Sequence, residues 1–263
     1  MIKLIASDMD GTLLDEDNKL PSDFFEILDE LKDIGTKFIV ASGRPYYTLY
    51  DNFSPKSDEI TYIADNGSCI IMNGELIYKK TLQMSDVEEI VKECKAIDCT
   101  YVVICGIKGA YVFDRALATS DEAKEYYSRI TFINSVSEID DDVYKIGLYD
   151  IKGAFKNSYN RLYPLFKDKF DVVVSGKTWI DIMIKGVNKG KALQYIQEKL
   201  SISPQETMAF GDYYNDIELL SRAEYSFVME NANADLKKYG NYLASSNKEN
   251  GVIKAVKQFA LAK

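Results

Sequence analysis

Two aspartates one residue apart, Asp8 and Asp10, follow the apolar run Ile2-Lys3-Leu4-Ile5-Ala6 and precede a glycine, Gly11. Residues two apart on an extended chain project to the same side, so a strand continuing through Asp10 would hold both carboxylates together. Carboxylates that close repel, and one of them resists ionisation. A hard cation relieves the repulsion, and magnesium takes a few carboxylate oxygens while keeping water or phosphate in its other positions. The spacing points to metal-assisted chemistry on oxygen ligands. Taken alone, Asp10-Gly11 also reads as a plain turn with solvated acids. An EF-hand loop fits worse, because Gly11 comes directly after Asp10 and not at the loop's sixth position.

The chain contains no histidine, which excludes Ser-His-Asp and Cys-His machinery and any His-ligated zinc. Proton transfer then falls to carboxylates, Lys, Tyr or Cys. The four cysteines, Cys69, Cys94, Cys99 and Cys105, form no CxxC pair and read as reduced thiols of a cytoplasmic protein. Acidic residues outnumber basic ones 41 to 32, a net charge of −9 that argues against nucleic acid or an anionic membrane as partner. No apolar run reaches the roughly 18 residues of a membrane span. The start, MIKLIASDMDG, lacks the apolar core of a signal peptide.

Strands and helices must position these acids. Residues 2–7, 36–41 and 60–64 read as buried strands, with helices over 22–34 and from Pro45 between them. Alternating strand and helix predicts a parallel sheet with helices on its faces. Residues 68–80 read as a hairpin about Asn73-Gly74. The middle of the chain changes to α+β patterning: helices over 85–98, 119–130 and 153–166, and strands in TYVVICG, GAYVFD, VYKIGLYD, FDVVVSG and TWIDIMI. Strand and helix then alternate again, with helices from Lys191 to Leu200, Asp216 to Ala223, 233–239 and 251–261, and strands TMAFG and SFVM. The expected organisation is a discontinuous α/β core, 1–83 and 187–263, interrupted by an α+β domain over 84–186, with hinges near Met84 and Lys185-Gly186.

In a parallel α/β sheet, ligands bind beyond the carboxyl ends of the strands. Asp8, Asp10, Ser42, Asn66 and Asp212 all fall there. Four ordered segments, DMDGTLL (8–14), ASGRP (41–45), VNKGKAL (187–193) and GDYYND (211–216), resemble the four motifs of the haloacid dehalogenase superfamily. The insertion between the second and third, and the tail segments VMENA and ASSNKENGV, resemble its Cof-type sugar-phosphate phosphatases with a large α/β cap.

The resemblance implies a Rossmann-like α/β core with an inserted cap and a Mg2+-dependent phosphomonoester hydrolase of small metabolites. Asp8 would be the nucleophile that becomes an aspartyl-phosphate, and Asp10 the general acid and base. Mg2+ would be held by the Asp8 carboxylate, the Asp10 backbone carbonyl and the Asp212 carboxylate, with Asn215 and Asp216 supporting that shell. Ser42, Gly43 and Lys189 would hold the phosphoryl oxygens. Arg44 and Asn66 would stand at the substrate mouth, although a solvated arginine and an Asn-Gly turn are equally natural there. Asp15 and Asp17 read as solvated loop acids. In the cap, Arg115, Lys177 and Trp179 are candidates for reading the leaving group, and Trp179 alone reads more simply as packed sheet surface.

Two alternatives remain from the sequence. A phosphomutase would share the aspartyl-phosphate, and a silent binding protein would share only the fold. Dehalogenation is disfavoured by the acid at Asp10, and ion pumping by the absence of a membrane span.

Overall fold

A computed structural model describes residues 1–119 and 121–262. By compactness the chain divides into two units. The first comprises residues 1–42, 55–76 and 188–263, and the second residues 43–54 and 77–187. Segment 43–54 therefore groups with the insertion. Among the described residues no helix is long and apolar enough to cross a membrane.

The chain begins with β1 (Leu4–Ser7), α1 (Phe24–Asp33), β2 (Lys37–Ala41), α2 (Tyr46–Asn52), β3 (Thr61–Ala64), β4 (Cys69–Met72) and β5 (Glu75–Lys79). All four residues of β1 are buried, as an interior parallel strand requires. α1 buries Phe24, Ile27, Leu28 and Leu31 at helical spacing. Each such side chain contributes about 1.5–3 kcal/mol. The chain leaves the helix at Gly35, whose φ is +78°. The β4–β5 turn has Asn73 and Gly74 at φ 53° and 75°, the paired left-handed geometry of a tight hairpin.

The insertion follows with α3 (Met84–Lys95), β6 (Thr100–Gly106), β7 (Ala110–Val112), α4 (Arg115–Thr119), α5 (Asp121–Tyr126), β8 (Ile130–Phe132), β9 (Val143–Asp150), α6 (Asn160–Phe166), β10 (Phe170–Val174) and β11 (Trp179–Ile184). The helix expected over 119–130 is instead a pair of short helices that ends at Tyr126, with strand from Ile130; Ser120 lies outside the described residues. The strands form a six-stranded sheet in the order β10-β11-β9-β6-β7-β8. Its pairs are antiparallel except β7–β8. Val102, Ile104, Ile146, Leu148, Ile180 and Ile182 share one apolar core with Val87, Ile90 and Val91 of α3 and Leu162 and Phe166 of α6.

The first unit is completed by α7 (Lys189–Leu200), β12 (Thr207–Gly211), α8 (Ile217–Leu220), β13 (Tyr225–Met229), β14 (Tyr242–Ala244) and α9 (Gly251–Val256). Its sheet runs β14-β13-β12-β1-β2-β3-β4-β5. β1 lies between β12 and β2, parallel to both, with Ser7 opposite Phe210 on one side and Val40 on the other. β3 extends the parallel run, pairing Ala41 with Ile63. The carboxyl ends of these strands thus share one edge, and the segments that follow them hold the site.

Candidate active site

β1 ends at Ser7, and Asp8 leaves the sheet still extended, at φ −61° and ψ 161°. Met9–Leu13 then form a tight turn with Gly11 at φ +76°. A side chain at Gly11 is barred twice: by that φ, and because a Cβ would stand 2.4 Å from Asp212 Oδ2. The expectation that strand geometry carries Asp8 and Asp10 to one side is corrected here, since the strand stops before Asp8. The carboxylates grouped with Asp8 are Asp212 and Asp216, with one oxygen from each lying within 4.8 Å of the others. The Asp10 carboxylate is outside that group, although its charge still raises the pKa of Asp8 and of Asp212.

Asp212 follows β12, and its Oδ1 accepts from Thr12 Oγ1 at 3.1 Å. Asp216 is fully buried; its Oδ2 accepts from the backbone N–H of Asp212 and of Tyr213, both at 3.1 Å. Gly211 makes room for it, since a Cβ there would lie 2.4 Å from that of Asp216.

Lys189 opens α7. The cap is Asn188, whose Oδ1 accepts from the Lys191 N–H at 2.8 Å. Asp65, Asn66 and Gly67 all have left-handed φ, and a Cβ on Gly67 would meet the Asn188 carbonyl at 2.4 Å. This loop therefore rests directly on the start of α7 and fixes where Lys189 begins. The Lys189 Nζ donates to Asp8 Oδ1 at 2.5 Å and to Asp216 Oδ1 at 2.7 Å, with the residue only 1% exposed.

The electrostatics follow from this burial. Burial, then the Asp216 charge, raises Asp8 well above the usual carboxylate range. The same two causes push Asp212 up to about 7. For Lys189, burial opposes the charge, but Asp216 and Asp8 outweigh it and hold the ammonium protonated. One ammonium thus stands against a cluster of acids that repel one another. The group is short of positive charge, and hard oxygen donors in this number fit a divalent cation.

The other expected residues fall as follows. Ser42 is buried just past β2; its N–H donates to the Ile63 carbonyl at 2.9 Å and its carbonyl accepts from the Asn66 N–H at 3.0 Å. Asn215 Nδ2 donates to Asn66 Oδ1 at 3.0 Å, so the structure brings these two together. Gly43 and Arg44 group with the second unit. There the Gly43 carbonyl accepts from Lys145 Nζ at 2.7 Å. Arg44 is buried, with its guanidinium carbon 5.2 Å from the centre of the Tyr126 ring, so the solvated-arginine reading fails. Arg115 lies over Phe132 at 4.1 Å.

Three neighbours of the site were not singled out from the sequence. Thr12 is one. Asn231 Nδ2 donates to the Gly11 carbonyl at 2.8 Å, and Asn247 Nδ2 to the Leu14 carbonyl at 2.9 Å. Asn231 and Asn247 lie in the tail segments VMENA and ASSNKENGV, and pin the turn that carries Asp10; no local pattern marks them.

A buried carboxylate paired with a buried lysine, in an acidic cluster at the carboxyl edge of a parallel sheet, fits a hydrolase of the haloacid dehalogenase type. The chain belongs to that family: the model of the haloacid dehalogenase-like hydrolases matches residues 5–256. It is 31% identical over 259 residues, 97% of this chain and 95% of the other, to the Escherichia coli (strain K12) 5-amino-6-(5-phospho-D-ribitylamino)uracil phosphatase YbjI. Among solved structures, SMU.1108c from Streptococcus mutans UA159 superposes with a TM-score of 0.88 at 28% identity, covering all of both chains. The subclass IIB sugar phosphatase BT4131 does so with a TM-score of 0.83 at 25% identity, covering 99% of this chain and 100% of that one. The protein is an enzyme of this family, a phosphatase of small phosphorylated metabolites.

Proposed function

We propose that the protein hydrolyses phosphomonoesters of sugars and related polyols through a phosphoryl-enzyme intermediate on Asp8. The contact between Lys189 and Asp8, set among Asp212 and Asp216, carries this reading. The phosphoribityl ester in the name of the Escherichia coli relative is a compound of this kind.

An Asp8 carboxylate oxygen attacks phosphorus, forming a P–O bond as the bond to the ester oxygen breaks. Asp10 gives its proton to that leaving oxygen. Water then attacks the acyl-phosphate, Asp10 takes the water proton, and Asp8 and inorganic phosphate separate. Splitting one displacement in two lowers each barrier. Ser42, the Gly43 backbone and Lys189 are assigned to the phosphoryl oxygens, where alignment and charge neutralisation account for most of the catalysis. Arg44 and Asn66 are assigned to the mouth. Asn215 holds Asn66, and Asp216 orients Lys189 and the Asp212 loop.

The acids fit Mg2+. Asp8, Asp212 and the Asp10 carbonyl would hold it, with Asn215 and Asp216 behind them. When bound, it neutralises charge on the transferring phosphoryl group and keeps Asp8 ionised. We assign residues 84–186 the role of a cap that keeps bulk water from the acyl-phosphate. Four free cysteines suit the cytoplasm.

The test is phosphate release from p-nitrophenyl phosphate, with and without Mg2+, by wild type and Asp8→Asn. Metal-dependent turnover that vanishes in the variant is expected. Equal turnover in the variant would overturn the assignment of Asp8. Isomer interconversion of a sugar phosphate without free phosphate would replace hydrolase by mutase.

A further inference from the structure

The turn that carries Asp10 is held differently at its two ends. It enters from β1, where the Asp8 N–H donates to the Phe210 carbonyl at 3.0 Å and the sheet fixes the chain. Beyond Asp10 comes Gly11, which the Asp212 carboxylate requires to be a glycine. Lacking a Cβ, glycine turns about φ and ψ more freely than any other residue. The residue assigned to proton transfer is thus followed by the most pliable joint a chain can have. A displacement of about 1 Å at a catalytic group can cost roughly 100-fold in rate. The stiffness that Gly11 lacks has to come from elsewhere in the same unit.

It comes from the other end of the sequence. Asn231 Nδ2 donates to the Gly11 carbonyl at 2.8 Å, and Asn247 Nδ2 to the Leu14 carbonyl at 2.9 Å. The two asparagines are themselves joined, since the Asn247 N–H donates to Asn231 Oδ1 at 3.1 Å. Within the turn, the Leu14 N–H donates back to the Met9 carbonyl at 2.9 Å. Both asparagines stand just past paired strands, β13 ending at Met229 opposite Ala244, the last residue of β14. There the Glu230 N–H donates to the Ala244 carbonyl at 3.0 Å. Asn247 is buried and opens the single turn Asn247–Glu249, whose start is capped by Ser246. The two carboxamides are therefore placed by the sheet edge and not by the turn that they hold. Thr12 also ties the turn down, but to Asp212, an acid whose charge changes with its proton. The asparagines grip backbone carbonyls with neutral amides, so their hold is the same whatever the charge of the acids.

We propose that Asn231 and Asn247 are positioning residues for proton transfer. By fixing the carbonyls of Gly11 and Leu14, they keep the Asp10 carboxyl where it protonates the leaving oxygen. This rests on the phosphatase reading above and adds to it two residues that act through the backbone of the turn.

Ribose 5-phosphate gives up its sugar as a basic alkoxide, which needs the Asp10 proton; p-nitrophenyl phosphate gives up a weakly basic phenolate, which does not. Because kcat/KM covers the steps through departure of the alcohol, comparing the two esters isolates the acid. Asn247→Leu, and separately Asn231→Ala at an exposed position that tolerates replacement, should lower kcat/KM for ribose 5-phosphate by about 10- to 100-fold. The value for p-nitrophenyl phosphate should stay within about a factor of two. A general loss of folded enzyme would lower both esters alike. Hydrogen exchange gives a second readout without turnover: the Leu14 amide should exchange roughly tenfold faster in both variants, the effect of losing one hydrogen bond. Equal losses on the two esters, or unchanged exchange at Leu14, would overturn the proposal. A wild type inert toward both esters would instead overturn the phosphatase reading, while faster exchange in the variants would leave the hold on the turn standing.

Discussion

The Lys189 ammonium meets the Asp8 carboxylate at 2.5 Å with both side chains almost wholly out of water. Removing one partner of such a pair leaves the other charge buried and unpaired, which costs about 3–5 kcal/mol. Lys189 also serves Asp216, so Lys189→Met strands two acids. We expect a fall of that size in unfolding free energy by urea denaturation. Turnover of p-nitrophenyl phosphate should fall by about 100-fold or more, as for loss of a charge aimed at the transition state. A stable variant with near-wild-type turnover would remove Lys189 from the phosphoryl site.

The raised carboxyls give stability and metal binding a definite pH dependence. Asp212 is pushed up to about 7 by burial and by Asp216, so the metal-free folded chain binds more protons than the unfolded chain between about pH 4 and 7. Its contribution to stability therefore falls as pH rises through that window. A divalent cation must displace the proton, so affinity should fall as pH drops below 7, and the gain in Tm from saturating Mg2+ should grow from pH 5 to pH 8. A difference on the order of 5 °C is expected. Asp212→Asn should remove most of the effect, as thermal melts at several pH values would show.

Gly11→Ala should disable the site while leaving the sheet intact. The new methyl would collide with the Asp212 carboxylate, and φ +76° strains any other residue. A loss of about 1–3 kcal/mol in stability and a larger loss in metal affinity are expected. Calorimetric titration with Mg2+ and a denaturant melt would separate the two. Equal affinity in the variant would mean that Asp212 is not a ligand.

Lys145 and Asp181 are a buried pair inside the second unit. Lys145→Met alone, or Asp181→Leu alone, should cost about 3–5 kcal/mol, whereas the double variant should cost much less because no charge is left behind. A double-mutant cycle in urea measures this, and strictly additive losses would show that the pair is not coupled.

The sequence made the core legible where local pattern and global position agree. The apolar run before Asp8, the stripe Phe24, Ile27, Leu28, Leu31, and the Asn73-Gly74 turn each form the expected element. Lys189, Asp212, Asp216 and Asp8 converge because each sits at an element boundary on one sheet edge. What was not legible depended on tertiary approach. Asp10 could not be separated from Asp8 without knowing that β1 stops at Ser7. The burial of Arg44 required the Tyr126 ring, 82 positions on, and Asn231 and Asn247 act through carbonyls that any residue possesses. The short helices and β8 replaced one expected helix because Ile130, Thr131 and Phe132 pair with β7.

The placement of β1 between β2 and β12 has a consequence for the order in which the molecule can be made. β2 leaves the ribosome soon after β1, but β12 begins only at Thr207. Until then one edge of a strand that is wholly buried in the finished fold has no partner, and Asp8 has neither Lys189 nor Asp216 beside it. The nascent chain must carry that open edge through synthesis of the entire insertion, a period in which wrong pairing competes with folding. Catalytic competence then arrives late and all at once, when residues 189–216 join a sheet begun by residue 4.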